Sequence, residues 1–304
     1  MDVKARLTAK PIADIEALMG RHDEADIYGG PAGDPGLTGG PGSISWEING
    51  DLASLGIAGV GAILMEVLHP SVMAGVYSQS TYRTEPVKRL QNTLGYVLRT
   101  TFGNTQAATD VIAHVHRVHG YIEGTRPDGV AYRALDPELI AWVHTCIPWA
   151  VMTAYDRHRR PLSDAEKSRY LREQAIVGRM GGADWVPESV TDLDDYLHEM
   201  RPKLAVTQQT VEFIEFLTGR SGDYPTNAWD RTDLWLSLNE SMALMPYWAR
   251  VLTGTEHGGP MRRFVLEPRT RFRARTVRWL FPELACTALA RARATAGASH
   301  AHAA

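Results

Sequence analysis

Val111-Ile-Ala-His-Val-His-Arg-Val-His119 carries three histidines within six positions, and His116 and His119 stand three apart. On an α-helix that spacing puts both imidazoles on one face, one turn apart, with His114 elsewhere on the wheel. Neutral imidazole is the commonest protein ligand for a metal. A helix that presents it twice on one face therefore predicts a site as well as a fold.

The flanking sequence extends the helical reading in both directions. Asn104 or Thr105 can cap the histidine helix, over about 105–120, because a short polar side chain satisfies free N–H groups of a first turn. Pro86 opens the preceding helix, to about residue 102. Upstream of it, residues 50–69 are apolar on nearly all sides, the mark of a central helix. Gly56, Gly59 and Gly61 weaken that helix. They make sense where another backbone or a flat ligand packs against it. Downstream, Asp136-Pro137-Glu138 starts a helix that reaches about Arg157 and is expected to kink at Pro148. Ser163-Asp-Ala-Glu166 is a capping box that opens another. Further helices are predicted near 9–20, 189–203, 207–218, 231–252 and 267–294.

Period-2 alternation is scarce, so the fold class is all-α. Residues 28–294 are expected to form one large helical domain, after a lead-in over 1–27 and before a disordered tail over 295–304. The Gly/Pro stretch 29–43 follows no strand, which argues against a phosphate-binding loop.

Composition removes several function classes. A formal charge of −3 implies no broad attraction to nucleic acid. Cys146 and Cys286 lie far apart, so no thiolate metal knuckle, disulfide framework or Cys-x-x-Cys-His haem attachment is available. The longest apolar stretch, Ala53 to Leu68, is too short for an ordinary membrane span. The first residues show no apolar signal segment, and a cytoplasmic location is expected. The Arg-rich stretch 262–278 reads as a solvated face with snorkelling stems.

Polar residues interrupt the core pattern at four places: the histidine helix, Glu66-x-x-His69, Arg89-x-x-x-Thr93, and Trp142-Val-His144. Each has an ordinary reading. His144 could be a core histidine, His69 a helix terminator before Pro70, and Arg89 a partner of a surface carboxylate. Together they suggest a bound group that satisfies buried polar atoms. A carboxylate-bridged di-iron centre would use Glu66, His69, His116 and His119, but the chain has only one Glu-x-x-His motif where two are needed. Haem b needs one axial histidine, His116 or His119, small residues beside a flat macrocycle, and cationic or hydroxyl groups for the propionates. A helical ligand-binding protein without turnover is the third reading.

The ordered series Gly59-Val-Gly-Ala-Ile-Leu-Met-Glu-Val-Leu-His-Pro70, Gly75-Val-Tyr-Ser-Gln-Ser80, Arg89…Thr93, His116-x-x-His119, Gly124-Thr-Arg-Pro-Asp-Gly129, Tyr132-x-Ala-Leu-Asp-Pro-Glu138 and Trp142-Val-His144 resembles the MpaB-like oxygenase family, which includes latex clearing protein. The resemblance runs from about Tyr28 to Tyr196 and more faintly to Trp279. It implies helices arranged in globin-like fashion around haem b, with O2 as co-substrate and oxidative cleavage of alkenes as the known chemistry. It implies His119 as the iron ligand, with Arg89 and Thr93 near the haem; on that reading Arg89 neutralises a propionate, His116, His69 and His144 lie around the cofactor, Thr93 and Asn92 border the oxygen site, and Glu66 is an acid/base group if it is buried beside the haem. In the latex clearing branch a lysine precedes the threonine and can occupy the distal position; Asn92 stands there in this chain. The implied substrate is a small or medium apolar molecule, a terpenoid or other biosynthetic intermediate, rather than polyisoprene. No oligomeric state follows.

Overall fold

The computed structural model describes residues 25–219, 236–255 and 259–296. It opens with a helical turn, α1 (Ala25–Tyr28), and after the Gly/Pro loop enters α2 (Ile44–Asn49). The loop is irregular because its glycines take left-handed backbone angles. Gly36, at φ +69°, lies so close to Gly103 that a Cβ would stand 2.5 Å from the Gly103 carbonyl oxygen.

The central apolar segment begins at α3 (Leu52–Glu66), capped by Asp51, whose carboxylate accepts the Ser54 N–H. It does not run on to residue 69. Pro70 cannot continue an α-helix, and His69 takes an extended backbone angle before it. The chain turns by 109° into α4 (Pro70–Gln79). His69 caps this new helix: its Nδ1 accepts the Ser71 N–H at 3.3 Å. Then follow α5 (Pro86–Phe102) and α6 (Thr105–His119), the second capped by Asn104 through the Ala107 N–H.

A small antiparallel hairpin, β1 (Glu123–Thr125) and β2 (Ala131–Arg133), follows α6, with Gly124 opposite Tyr132. The helical periodicity gave no sign of it. Its three-residue strands are too short for alternation to register, and the described residues remain all-α in class. Next come α7 (Pro137–His158), α8 (Asp164–Gly181), α9 (Val190–Met200) and α10 (Gln208–Leu217). The first of these continues through Pro148, and α8 carries the expected Ser163/Glu166 capping box.

Two long helices expected near the C-terminus are broken. Residues 236–242 are helical, but Pro246 intervenes before α11 (Tyr247–Thr253). Residues 259–280 form one helix that passes through a π turn, Arg262–Leu266, into α12 (Glu267–Leu280). Phe281, before Pro282, leaves helical geometry, and α13 (Ala285–Thr295) starts afresh. The expected helix 9–20 and most of the tail lie outside the described residues, though Thr295 still belongs to α13.

The main hydrophobic core runs from Tyr28 to Ala290, and a smaller one gathers Val67, Met73, Val76, Tyr82, Phe213 and Phe216. At the centre of the main core α3 lies along α7, with Ala58, Ala62, Ala150 and Ala154 buried so that the two helices pack closely. Trp142 is fully buried there, and its indole N–H donates to the Glu66 carbonyl at 3.1 Å. Burying an aromatic side chain of this size stabilises by roughly 3 kcal/mol, and the hydrogen bond removes the cost of its polar edge.

The Arg-rich stretch is not simply a solvated face. Arg278 forks onto Asp51 at 2.8 and 2.7 Å, while Arg269 and Arg273 both pair with buried Glu240. Burial opposes ionisation of Asp51, but hydrogen bonds from Arg278 and Ser54 outweigh it and hold the carboxyl below its ordinary range. These pairs tie α12 to the start of α3 and to the 236–242 helix.

Candidate functional site

Helix α5 packs on α6 and α6 on α8, but α5 touches α3 only lightly. The intervening faces are apolar and only partly covered. Gly56 is exposed on α3, with Gly59, Val60 and Ile63 half-buried beside it; α5 presents Leu90, Thr93, Leu94 and Val97. The three α3 glycines have different surroundings. At Gly61 a Cβ would stand 3.2 Å from the Ser241 carbonyl oxygen, so a second backbone explains that glycine. At Gly59 a Cβ would meet only Leu90, at 3.6 Å, and at Gly56 nothing within 4 Å. No neighbouring backbone accounts for these two.

At the end of this partly open seam, polar side chains from four helices act on one another. Glu66 closes α3 and is 8% exposed. Burial pushes its carboxyl up to about 7, and the positive charge of Arg89 only partly opposes this. Arg89, from the first turn of α5, has a buried Nε with no hydrogen-bond partner. Among the described residues it forms no ion pair. Thr93, one turn on, donates its hydroxyl to the Arg89 carbonyl at 3.2 Å. His119, at the end of α6, is held below the ordinary histidine range by burial, then by the charges of Arg89 and His116. His144 of α7 is held down to about 4 by burial and, secondarily, by His119. Both imidazoles are therefore neutral near pH 7 and able to offer a lone pair.

The structure draws Glu66, Arg89, His119 and His144 into one electrostatic group. Other expected residues stand apart from it. His69 caps α4 and sets Nε2 3.8 Å from the Glu138 carboxylate. Burial, more than Glu138, decides its charge and lowers its pKa. His116 is exposed, its Nδ1 3.2 Å from the Gly181 carbonyl oxygen. Asn92 is exposed on the outer side of α5. The di-iron ligand set thus does not assemble: among the described residues, no three His, Cys, Asp or Glu side chains are grouped to hold a metal ion. A single axial histidine requires no such group.

Tyr96 also belongs to the site. Its ring meets His144 edge-on at 6.1 Å between centroids, and burial pushes its phenol upward. Arg89, Thr93 and Tyr96 follow the i, i+4, i+7 spacing of one helix face, a signal already present in the sequence. Cys146, buried near Glu66, is kept protonated by burial and then by that carboxyl.

An orphaned buried guanidinium N–H, a neutral histidine and a glycine-lined apolar seam are the parts required by a flat, anionic, iron-bearing cofactor. No single helix among the described residues is long and apolar enough to cross a membrane.

The family model described as ER-bound oxygenase mpaB/B'/Rubber oxygenase, catalytic domain, matches residues 46–296. Uncharacterized proteins of Mycobacterium tuberculosis and Mycobacterium bovis are each 25% identical over 142 residues, 44% of this chain and 55% of theirs. The chain thus spans about half the length of these relatives. No solved structure matches it.

Proposed function

The chain belongs to the MpaB/rubber oxygenase catalytic-domain family, and on that premise we propose that it is a haem b-dependent oxygenase, an oxidoreductase that uses O2 on a small or medium apolar substrate. Residues 28–294 form the catalytic unit, acting in the cytoplasm on a terpenoid or other biosynthetic intermediate. The observation that carries this reading is the buried, unpartnered Nε of Arg89 in electrostatic contact with neutral His119.

In this reading His119 binds the iron. Its depressed pKa favours that role, because only neutral imidazole has a free lone pair to donate. Arg89 holds a propionate, and Thr93 fixes the backbone that carries it. Gly56 and Gly59 leave room against α3 for the macrocycle. When bound, haem b supplies a redox-active iron at which O2 is activated. The protein's own contribution is to place the substrate, exclude water and manage one proton. Leu90, Leu94, Val60 and Ile63 give the seam apolar walls. Glu66 titrates near neutrality, so its carboxyl can hold a proton or release one beside the reacting group. His144, set edge-on against the Tyr96 ring, lies within electrostatic reach of His119.

The test is oxygen uptake by haem-loaded protein with a panel of terpenoid and other unsaturated apolar compounds, with products identified by mass spectrometry. Substrate-dependent uptake that is lost in Glu66→Gln or His119→Ala is expected. Stable haem binding with no uptake on any compound would favour a carrier without turnover.

A further inference from the structure

We propose that a cavity at the C-terminal end of α7 binds a compact dianion, a phosphate or a small dicarboxylate, at a site separate from the Arg89–His119 group. The cavity has a volume of about 230 Å³ and lies where α7, the 236–242 helix, the π turn and α12 meet. Arg157, His158, Arg262 and Arg271 line it together with Glu240 and Glu267. It is thirteen residues beyond His144 on the same helix, or ~20 Å along the axis.

The charges around the cavity do not balance. Glu240 is already committed to Arg269 and Arg273, and Glu267 accepts from Arg262 at 3.1 Å. Among the described residues, Arg271 has no ion-pair partner. Arg157 donates one hydrogen bond to the Ala243 carbonyl at 2.7 Å and likewise has no ion pair. The Nδ1 of His158 is buried without a hydrogen-bond partner.

Crowding of cations is felt by the groups themselves. Burial, then Arg157, Arg278 and Arg271, hold His158 down to about 4. Burial, then Arg262 and Arg250, lower Arg157. An anion in the cavity would accept from the unpartnered Nδ1 of His158 in its Nδ1–H tautomer and relieve this repulsion. A charge-assisted fork from arginine matches phosphate and carboxylate oxygens alike. Since a water occupies roughly 30 Å³ of liquid, the cavity is large enough for such an anion with several waters or a small organic body.

The test titrates the full chain with inorganic phosphate and with malonate, each against sodium chloride at equal ionic strength. The readouts are Tm and the imidazole nitrogen resonances of His158. At least one dianion should raise Tm saturably and shift His158, since a ligand that binds only the folded state stabilises it. Arg271→Ala, exposed and unpaired, should keep its fold yet weaken that binding about tenfold. The tighter of the two anions assigns the ligand class. Equal Tm and unmoved His158 resonances in all three salts would overturn the proposal. So would an Arg271→Ala variant that titrates like the parent.

Discussion

Arg278 and Arg89 are both arginines in the shadow of α3, one at its start and one near its end, yet their surroundings are opposite. Arg278 meets a buried carboxylate in a two-pronged ion pair that also caps the helix through Asp51. Arg89 faces a carboxyl whose pKa burial pushes up to about 7 and a histidine that burial keeps neutral, and its Nε has no partner. A buried cation with its carboxylate holds elements together. A partly buried cation without one, its Nε shielded from water, is a cost to the folded chain unless a ligand supplies the negative charge. The same residue type therefore separates the scaffold from the site.

The sharpest way to break this comparison is to replace both arginines by methionine and measure urea unfolding. Arg278→Met leaves Asp51 buried and unpaired, and a loss of about 3 kcal/mol is expected. Arg89→Met should leave the haem-free protein as stable as the parent or more stable by up to about 1 kcal/mol. It should also weaken haem binding about tenfold, the loss of one charge-assisted contact. Equal destabilisation by the two changes would erase the distinction.

A second effect of similar size depends on pH. The folded-state pKa of Glu66 lies near 7, above its ordinary value of 4.5. The folded state thus binds its proton more tightly than the unfolded chain does. The group costs nothing below pH 4.5, and its penalty grows as pH rises through 7 to about 3 kcal/mol. Glu66→Gln should match the parent at pH 4.5 and exceed it in stability at pH 8. His144 has the opposite sign, since its pKa falls from 6.5 to about 4. Its contribution is present above pH 6.5 and lost as pH falls through 4. The acid loss of stability should therefore be steeper in Glu66→Gln than in the parent, and shallower in His144→Gln. Identical pH profiles in all three proteins would remove Glu66 and His144 from the buried set.

Much of the helical layout was legible before the structure, because its signals are local. Asn104 at a cap, Pro86 and Pro137 at first turns, and the Ser163/Glu166 box act within four residues. The breaks at Pro70 and Pro282 rest on local rules too, yet the apolar pattern on both sides hides them, and in sequence His69 reads as a terminator rather than a cap. The hairpin after α6 and the Glu240 pairs were not legible, since they depend on contacts distant in sequence. At the site, the Arg89, His119 and His144 positions stood out as polar exceptions in apolar helices. What the sequence could not show was that His69 caps a helix, that His116 leans on Gly181, and that Asn92 faces outward.

The smallest expected effect separates the glycines. Gly61→Ala pushes a Cβ against the Ser241 carbonyl and should destabilise by about 1 kcal/mol, as overpacking does. Gly56→Ala meets no atom within 4 Å and should stabilise the haem-free chain by up to about 1 kcal/mol through helix propensity. If Gly56 borders the macrocycle, that same change should lower haem affinity measured by titration.

The most direct measurement is the ultraviolet–visible spectrum of purified chain titrated with haem, before and after dithionite, for the parent and His119→Ala. A stoichiometric Soret band that shifts on reduction, a b-type pyridine haemochrome, and loss of both binding and shift in a folded His119→Ala variant are expected. No Soret complex in the parent, or an unchanged spectrum in His119→Ala, would contradict His119 as the iron ligand of a haem oxygenase.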